Sequence, residues 1–301
     1  MFNIRDEAVH SIEGINNDHL SVSWMLGNFC VYKCSYCPSM LHDGSYPYHP
    51  IESVLGMLEK LPDKTVVTFL GGEPTYHPDF ERILLEKPDH VKIDMVSNGA
   101  KPLEFWKKIS PLMGSMTFTF HPEFANADRF IENAQEVSKY LKDFRVFMIM
   151  HPDKWDYCVE AYTKLKTCSF PIIPKPVLKD FTSDASMDPR YTESQLAWLT
   201  EKSGSNFKSI TIYDKDRNVL LKTNPSHLLS SGQTDFSGFK CFSPQQHITI
   251  RLNQDIYDAM CQQGKIIGDI NSKEFVLPSE PKLCTQTFCK CQADLCVKKI
   301  R

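Results

Sequence analysis

The spacing of apolar and polar positions changes repeatedly along the first 178 residues of the chain. Short β-branched or alternating runs predict six strands, at residues 20–26, 65–70, 91–96, 116–120, 145–150 and 170–174. Between them, apolar residues at helical spacing predict five helices, at residues 51–61, 80–86, 103–109, 128–141 and 155–165. Strands that alternate with helices form βα units, so the pattern predicts an α/β fold with a parallel sheet.

The pattern is different after residue 178. It predicts one helix and two hairpins, at residues 193–201, 209–222 and 247–257. Residues 223–238 are rich in Ser, Gly and Asn, which is typical of a loop. These changes divide the chain into three segments, at residues 1–178, 179–240 and 241–301.

Charge and hydropathy exclude several classes of partner. The formal net charge is −3, and no basic cluster predicts binding to nucleic acid or to an anionic membrane surface. No apolar run approaches the ~18 residues that a transmembrane helix needs, and residues 1–10 lack the apolar region of a signal peptide. We therefore expect a cytoplasmic protein without nucleic-acid or membrane partners.

The chain has 11 cysteines, which is unusual for a protein expected in a reducing compartment. Three lie within residues 30–37, and six lie between residues 241 and 296. Two separate clusters predict two metal sites. Cys158 and Cys168 stand alone and are expected to pack as small apolar side chains.

The first cluster has gaps of three and two residues between Cys30, Cys34 and Cys37. Short gaps let the loop wrap three thiolates around one centre. Structural zinc sites need four ligands, whereas three cysteines suit an iron–sulfur cube with one iron left open.

The spacing resembles that of the radical SAM superfamily, in which an aromatic residue, here Tyr36, precedes the third cysteine. The segment 71–74, Gly-Gly-Glu-Pro, is similar to the GGE motif of that family. The resemblance covers about residues 18–178 and implies a partial (β/α)6 TIM-like barrel. It also implies a 4Fe-4S cluster whose open iron binds S-adenosylmethionine (SAM). One electron, from a donor such as flavodoxin or ferredoxin, then releases a 5′-deoxyadenosyl radical that abstracts hydrogen from the substrate.

Polar residues follow several predicted strands, where ligands of parallel α/β folds gather. By resemblance, Gly71 and Gly72 let the backbone approach the methionyl amine, and Glu73 orients that loop or meets the ammonium. The predicted SAM-binding residues are Tyr36, Gly71, Gly72, Glu73, Pro74, Ser97, Asn98 and His121. An ordinary turn at 71–74 or 97–99 and a simple loop histidine are the alternatives. No residue is assigned to act on the substrate.

The second cluster resembles the SPASM/Twitch extension of radical SAM enzymes, which holds auxiliary 4Fe-4S clusters. Cys241 and Cys261 flank the second predicted hairpin, and further thiols follow it. Six thiols favour one cluster, held by Cys241, Cys261 and two of Cys284, Cys289 and Cys291, with Cys296 the least suited. A zinc site and buried unligated thiols stay open as alternatives.

These features predict a radical SAM enzyme of the oxidoreductase or maturase type. Hydrogen abstraction would be followed by an oxidation, cross-link or rearrangement. Few residues precede the barrel, which favours a small metabolite, similar to a sugar or cyclitol, or a peptide presented by a separate carrier, over a peptide held by the enzyme's own recognition domain. A peptide maturase and a non-catalytic iron–sulfur or zinc protein are the alternatives. Residues 179–240 are expected to cover the barrel mouth and shape the pocket.

Overall fold

The computed structural model describes residues 2–14, 19–179, 187–203, 208–261 and 263–301. Residues 180–186 and 204–207 of the predicted covering segment lie outside the described residues. The described strands are β1 (Ser11–Gly14), β2 (Ser21–Met25), β3 (Thr65–Leu70), β4 (Val91–Ser97), β5 (Ser115–Phe120), β6 (Phe144–Met150), β7 (Ile172–Pro176), β8 (Ile210–Tyr213), β9 (Val219–Thr223), β10 (Lys240–Cys241), β11 (His247–Ile250), β12 (Asp255–Tyr257), β13 (Ile266–Asp269), β14 (Glu274–Phe275), β15 (Lys282–Leu283) and β16 (Lys299–Ile300). The described α-helices are α1 (Ile51–Leu58), α2 (Phe80–Glu86), α3 (Leu103–Ile109), α4 (Ala127–Ser138), α5 (Trp155–Leu165), α6 (Glu193–Ser203), α7 (Pro225–Ser230), α8 (Ser243–Gln246) and α9 (Gln292–Cys296). None of these helices is long and apolar enough to cross a membrane.

The larger sheet contains the six strands that the sequence predicts. Strands β2 to β7 pair in parallel and in chain order, and a helix connects most successive pairs. Strand β11 pairs in parallel with the other edge of β2, and β12, β13 and β14 continue the sheet with antiparallel pairing. The predicted α/β fold with a partial barrel is therefore confirmed.

Side chains alternate between the two faces of the parallel strands, as the pleat requires. Trp24, Phe69 and Phe118 point towards the helices and are fully buried. Phe118 packs edge-on against Trp106 of α3, with ring centres 4.6 Å apart. The opposite face of the same strands is largely polar and lines an internal cavity. The sheet thus separates an apolar core from a polar barrel interior.

A second sheet joins distant parts of the chain, in the order β15-β10-β16-β1-β8-β9. Strand β1 lies between β16 and β8 and pairs antiparallel with both. Ile12 of β1 packs with Phe236, Phe239 and Leu295 in a core of its own. This sheet includes strands from all three sequence segments, and the division at residues 178 and 240 stays a prediction.

The expectation of a loop over residues 223–238 is wrong, because α7 begins at Pro225. The side chain of Asn224 accepts a hydrogen bond from the backbone N–H of His227, and Pro225 occupies the first helical position. Leu228 and Leu229 are buried. Capping and burial together stabilise a short helix in a segment whose composition is typical of loops.

We predict that Phe118→Ala lowers the free energy of unfolding by about 3–5 kcal/mol, because it leaves a cavity among aromatic rings. Leu85→Ala is the control, since Leu85 is 67 % exposed and its loss should cost less than about 0.5 kcal/mol. Urea unfolding of both purified variants measures the difference. Equal losses would contradict the assignment of Phe118 to the core.

Candidate active site

Cys30, Cys34 and Cys37 lie in the loop that follows β2, and Cys34 is the buried member of the three. Burial raises the pKa of all three thiols, to about 12 for Cys34 and about 11 for Cys37. The charge of Cys30 raises the pKa of Cys37 further, so the thiols are close enough to repel one another as thiolates. They would stay protonated at neutral pH until a metal centre displaces the protons.

Two of the predicted strand-end residues lie against these thiols. The amide nitrogen Nδ2 of Asn98 is 3.6 Å from Cys30 Sγ, within donating distance. His121 Nδ1 is 3.6 Å from Cys34 Sγ. The ends of β4 and β5 therefore face the cysteine loop, as the parallel topology requires.

Glu73 is 1 % exposed, and its carboxylate joins the end of β3 to the end of β4. Oε1 accepts from Ser97 Oγ at 2.9 Å and from Thr75 Oγ1 at 2.8 Å. Oε2 accepts from the backbone N–H of Asn98 at 2.7 Å. Burial raises the pKa of Glu73, and these hydrogen bonds oppose that shift. Of the two roles considered for Glu73, the geometry favours orienting the loop.

The two glycines of the 71–74 segment pack directly on the backbone that leads to Cys30. A Cβ at Gly71, whose φ is +128°, would lie 2.4 Å from the carbonyl oxygen of Gly27. A Cβ at Gly72 would lie 2.3 Å from the carbonyl oxygen of Phe29. Glycine is therefore required at both positions by this close approach. Pro74, which follows, is buried and starts a 3-10 turn.

Tyr36 and His121 stack at the edge of the cysteine loop, with ring centres 6.1 Å apart. Burial lowers the pKa of His121 to about 4, so the ring is neutral, and its Nδ1 is hydrogen-bonded to the Tyr36 hydroxyl at 2.9 Å. Glu123 accepts from the backbone N–H and the hydroxyl of Ser35, each at 2.6 Å. His151 Nε2 lies 3.4 Å from the same carboxylate. These contacts attach the loop to β5 and β6.

Sequence reasoning missed Glu123 and His151. His151 directly follows β6, just as His121 directly follows β5. Its position after a strand could therefore have predicted it as a site residue. Glu123 has no such signal, because its contact with Ser35 depends on the folded loop. The SAM-binding roles of the eight predicted residues stay predictions.

Four C-terminal thiols line one enclosed cavity, and they belong to Cys241, Cys261, Cys284 and Cys289. Lys282, Asp294 and Lys299 line the same space, which we call the cysteine cavity. Lys299 is 1 % exposed. Burial by itself lowers the pKa of Lys299, but the nearby Cys241, Cys289 and Asp294 hold it above its ordinary value. The cavity thus combines several thiols with a buried cation.

The four remaining cysteines do not line this cavity, although Cys291 is close enough to Cys289 for its charge to raise the pKa of that thiol. The thiol of Cys291 contacts Met260 Sδ at 3.0 Å, and that of Cys296 is 3.9 Å from Ser209 Oγ. Cys158 donates to the carbonyl of Ile149 at 3.4 Å, and Cys168 lies 3.7 Å from Gln135 Nε2. Across the described ranges, no three His, Cys, Asp or Glu side chains converge closely enough to hold a single metal ion.

A cavity of about 610 Å³ occupies the barrel interior, and we call it the barrel cavity. Its lining comes mainly from the amino-terminal halves of the parallel strands, including Ser21 and Ser115 at the starts of β2 and β5, and from Gln292 and Cys296 of α9. Hydroxyl and charged groups of the inner strand face line it, including Ser21, Ser23, Thr68, Asp94, Ser115, Thr117 and Arg145. Lys175 shares this face by alternation with Ile173, and its Nζ stands 4.5 Å above the Phe147 ring. Burial lowers the pKa of Lys175 to about 8.

Solved structures with the same fold are distant in sequence. The structure described as native anSMEcpe with bound AdoMet has a TM-score of 0.56 and 15% identity, covering 83% of this chain and 78% of that chain. The same protein with AdoMet and the Cp18Cys peptide has a TM-score of 0.53 and 16% identity, covering 84% of this chain and 77% of that chain. Streptococcus suis SuiB bound to precursor peptide SuiA has a TM-score of 0.52 and 14% identity, covering 83% of this chain and 62% of that chain.

No curated protein matches the chain in sequence. The sequence profile of the Radical SAM superfamily matches residues 24–163, which include the cysteine loop and strands β3 to β6. This match identifies residues 24–163 as a radical SAM domain, the domain of enzymes that use a 4Fe-4S cluster and SAM.

Proposed function

We propose that the enzyme cleaves SAM reductively at a cluster held by Cys30, Cys34 and Cys37, and oxidises a substrate in the barrel cavity with the help of an auxiliary 4Fe-4S cluster. The observation that carries the proposal is the convergence of the ends of β4 and β5 on the cysteine loop, where Asn98 and His121 lie 3.6 Å from the thiols of Cys30 and Cys34. When bound, the first cluster and SAM supply the 5′-deoxyadenosyl radical.

The residues of the first site fit this chemistry. Three thiols on one loop, with the fourth corner free of a protein ligand, leave one iron for SAM. The backbone of residues 71–73 pairs with that of residues 27–29, since Gly72 N–H donates to Gly27 O at 2.9 Å and Glu73 N–H donates to Phe29 O at 2.7 Å. This pairing holds the proposed amine-binding segment beside the cysteine loop. A low-potential flavodoxin or ferredoxin is the proposed electron donor.

The C-terminal site supports an auxiliary cluster with Cys241, Cys261, Cys284 and Cys289 as ligands. These four thiols share the cysteine cavity, whereas the thiol of Cys291 faces Met260. Lys299 and Asp294 already balance each other in this cavity, and the Lys299 ammonium would offset part of the negative charge of cluster-bound thiolates.

We propose a small polyhydroxylated metabolite, similar to a sugar or cyclitol, as the substrate. Seven Ser and Thr residues line the barrel cavity, at Ser21, Ser23, Thr68, Ser115, Thr117, Ser209 and Ser226. Such a lining offers hydrogen-bond donors and acceptors to many hydroxyl groups. A peptide is the second candidate, because two solved structures of the same fold are described with a bound peptide.

We predict that Cys34→Ala abolishes formation of 5′-deoxyadenosine, while Cys289→Ala retains cleavage of SAM that is uncoupled from substrate. Anaerobic reconstitution with iron and sulfide, followed by dithionite and SAM, provides the assay. Iron should fall from about eight to about four per chain in either variant. Cys168→Ala is the control and should keep both iron and activity. Absence of 5′-deoxyadenosine from the unmodified protein would reject the proposal.

We also predict that Glu73→Gln slows SAM cleavage roughly tenfold, because an amide cannot accept all the hydrogen bonds that the buried carboxylate accepts. The affinity for SAM and the rate of 5′-deoxyadenosine formation are the measurements. Glu81→Gln, on the outer helix α2, is the matched control. Equal rates for the two variants would show that the carboxylate of Glu73 does not position the site.

A further inference from the structure

Lys175 places a positive charge on the inner face of the large sheet, near the end of β7. Strand alternation puts it on the same face as Ile173, which lines the barrel cavity. Its Nζ stands 4.5 Å above the centre of the Phe147 ring, and Phe147 lines the same cavity. An aromatic face attracts an ammonium group but carries no net charge. Within the described ranges, Lys175 has no hydrogen-bond acceptor and no carboxylate at ion-pair distance.

The register of the sheet places Lys175 at the edge that carries the cysteine loop. Lys175 of β7 pairs with Ile149 of β6. The last pairs of β5 with β6, extended by one residue, set His121 level with Ile149. His121 Nδ1 is itself 3.6 Å from Cys34 Sγ. Lys175 therefore occupies the same layer of the sheet as a residue that contacts the cysteine loop.

Two charge effects agree with this position. Burial is the main cause that lowers the pKa of His121, and the positive charge of Lys175 lowers it further. Burial also lowers the pKa of Lys175, and the charge of Cys291 opposes that shift. Cys291 directly precedes α9 in the C-terminal segment. The ammonium of Lys175 thus lies between the cysteine loop and the C-terminal segment, where a substrate would meet the first site.

Lys175 is enclosed by protein and yet keeps part of its surface accessible. A side chain in that state faces an internal space and not a packed core. An ammonium group in such a space is costly without an anion. Glu123, whose charge acts on His121, is already engaged by Ser35 and His151. An oxyanion of a ligand would therefore supply a counter-charge that the described residues do not.

We propose that Lys175 binds an oxyanion of the substrate, a carboxylate or a phosphate group, and so fixes the end of the substrate that faces the cysteine loop. This inference rests on the proposed function. It narrows the polyhydroxylated metabolite proposed above to one that carries an acidic group. The Ser and Thr residues of the barrel cavity would bind its hydroxyl groups, whereas Lys175 would bind its charge.

The test is the affinity of the reconstituted protein for two matched pairs of probes, with saturating SAM present. D-Gluconate and sorbitol have the same carbon chain and differ by one carboxylate, and glucose 6-phosphate and glucose differ by one phosphate group. Anaerobic isothermal titration calorimetry measures each affinity. We expect at least one charged probe to bind about tenfold more tightly than its neutral partner, because an ammonium group binds oxyanions through charge-assisted hydrogen bonds.

Substitutions at Lys175 connect this preference to the ammonium group. Lys175→Met should remove the preference, because methionine keeps most of the length of the side chain without its charge. Lys175→Arg should keep it, since a guanidinium group carries the same charge and binds both carboxylates and phosphates.

Lys166→Met is the matched control. The Nζ of Lys166 also lies near an aromatic ring, 5.9 Å from the centre of Tyr162, but Lys166 is exposed and follows the outer helix α5. The same substitution there removes a lysine charge without affecting the inner face of the sheet. The preference for the charged probe should therefore persist in Lys166→Met.

The affinity for SAM separates the two possible sources of a carboxylate. Lys175→Met should bind SAM as tightly as the unmodified protein does. A tenfold loss of affinity for SAM in this variant would assign the ammonium to the carboxylate of SAM and overturn the proposal. Equal binding of charged and neutral probes by the unmodified protein, or a preference that persists in Lys175→Met, would also overturn it.

These outcomes are distinct from a failure of the proposed function. Formation of 5′-deoxyadenosine from SAM and dithionite is assayed without the probes, so loss of the anion preference leaves the proposed cleavage of SAM standing. Absence of 5′-deoxyadenosine from the unmodified protein would reject the proposed function, whatever the probes do.

Discussion

The buried carboxylate of Glu73 is the contact on which the first site depends. It accepts from the side chains of Ser97 and Thr75 and from the backbone of Asn98, so it fixes the ends of two neighbouring strands relative to each other. The backbone N–H of the same residue donates to Phe29 O, immediately before Cys30. Glu73 therefore positions the cysteine loop, residues 71–74 and Asn98 relative to one another. A buried carboxyl group of this kind is stable only when hydrogen-bond donors surround it.

Local periodicity is enough to predict the barrel but not the second sheet. The strands β2 to β7 are long enough to show their alternation, whereas β10, β15 and β16 have two residues each and exist only through pairing with distant strands. Ligands of parallel α/β folds gather at the carboxyl ends of the strands, and this rule likewise predicts Asn98 and His121, because it depends on topology alone. It cannot identify Glu123, whose contact with Ser35 joins residues 88 positions apart in the chain, and cysteine spacing does not choose among Cys284, Cys289 and Cys291 as ligands.

Burial of charge distinguishes the C-terminal region from the barrel core. Lys299 and Asp294 are each at most 2 % exposed, in a region that also contains four thiols. In proteins generally, replacing a buried ion pair with well-packed apolar residues is often neutral or stabilising. Lys299 and Asp294 would suit a cavity that holds an anionic centre whose charge changes during the reaction. Fixed charges of both signs would lower the electrostatic cost of burying that centre in each of its charge states.

The position of β1 affects the order in which the protein assembles. Its pairing with β16 brings together residues 11–12 and 299–300, with the whole barrel between them in sequence. Contacts between such distant residues form late, because closing a long loop loses chain entropy before the new contacts stabilise the structure. We therefore expect the barrel and its cysteine loop to fold first. The C-terminal thiols, two of which pack in the core that β1 completes, would stay accessible to iron and sulfide until β1 and β16 pair.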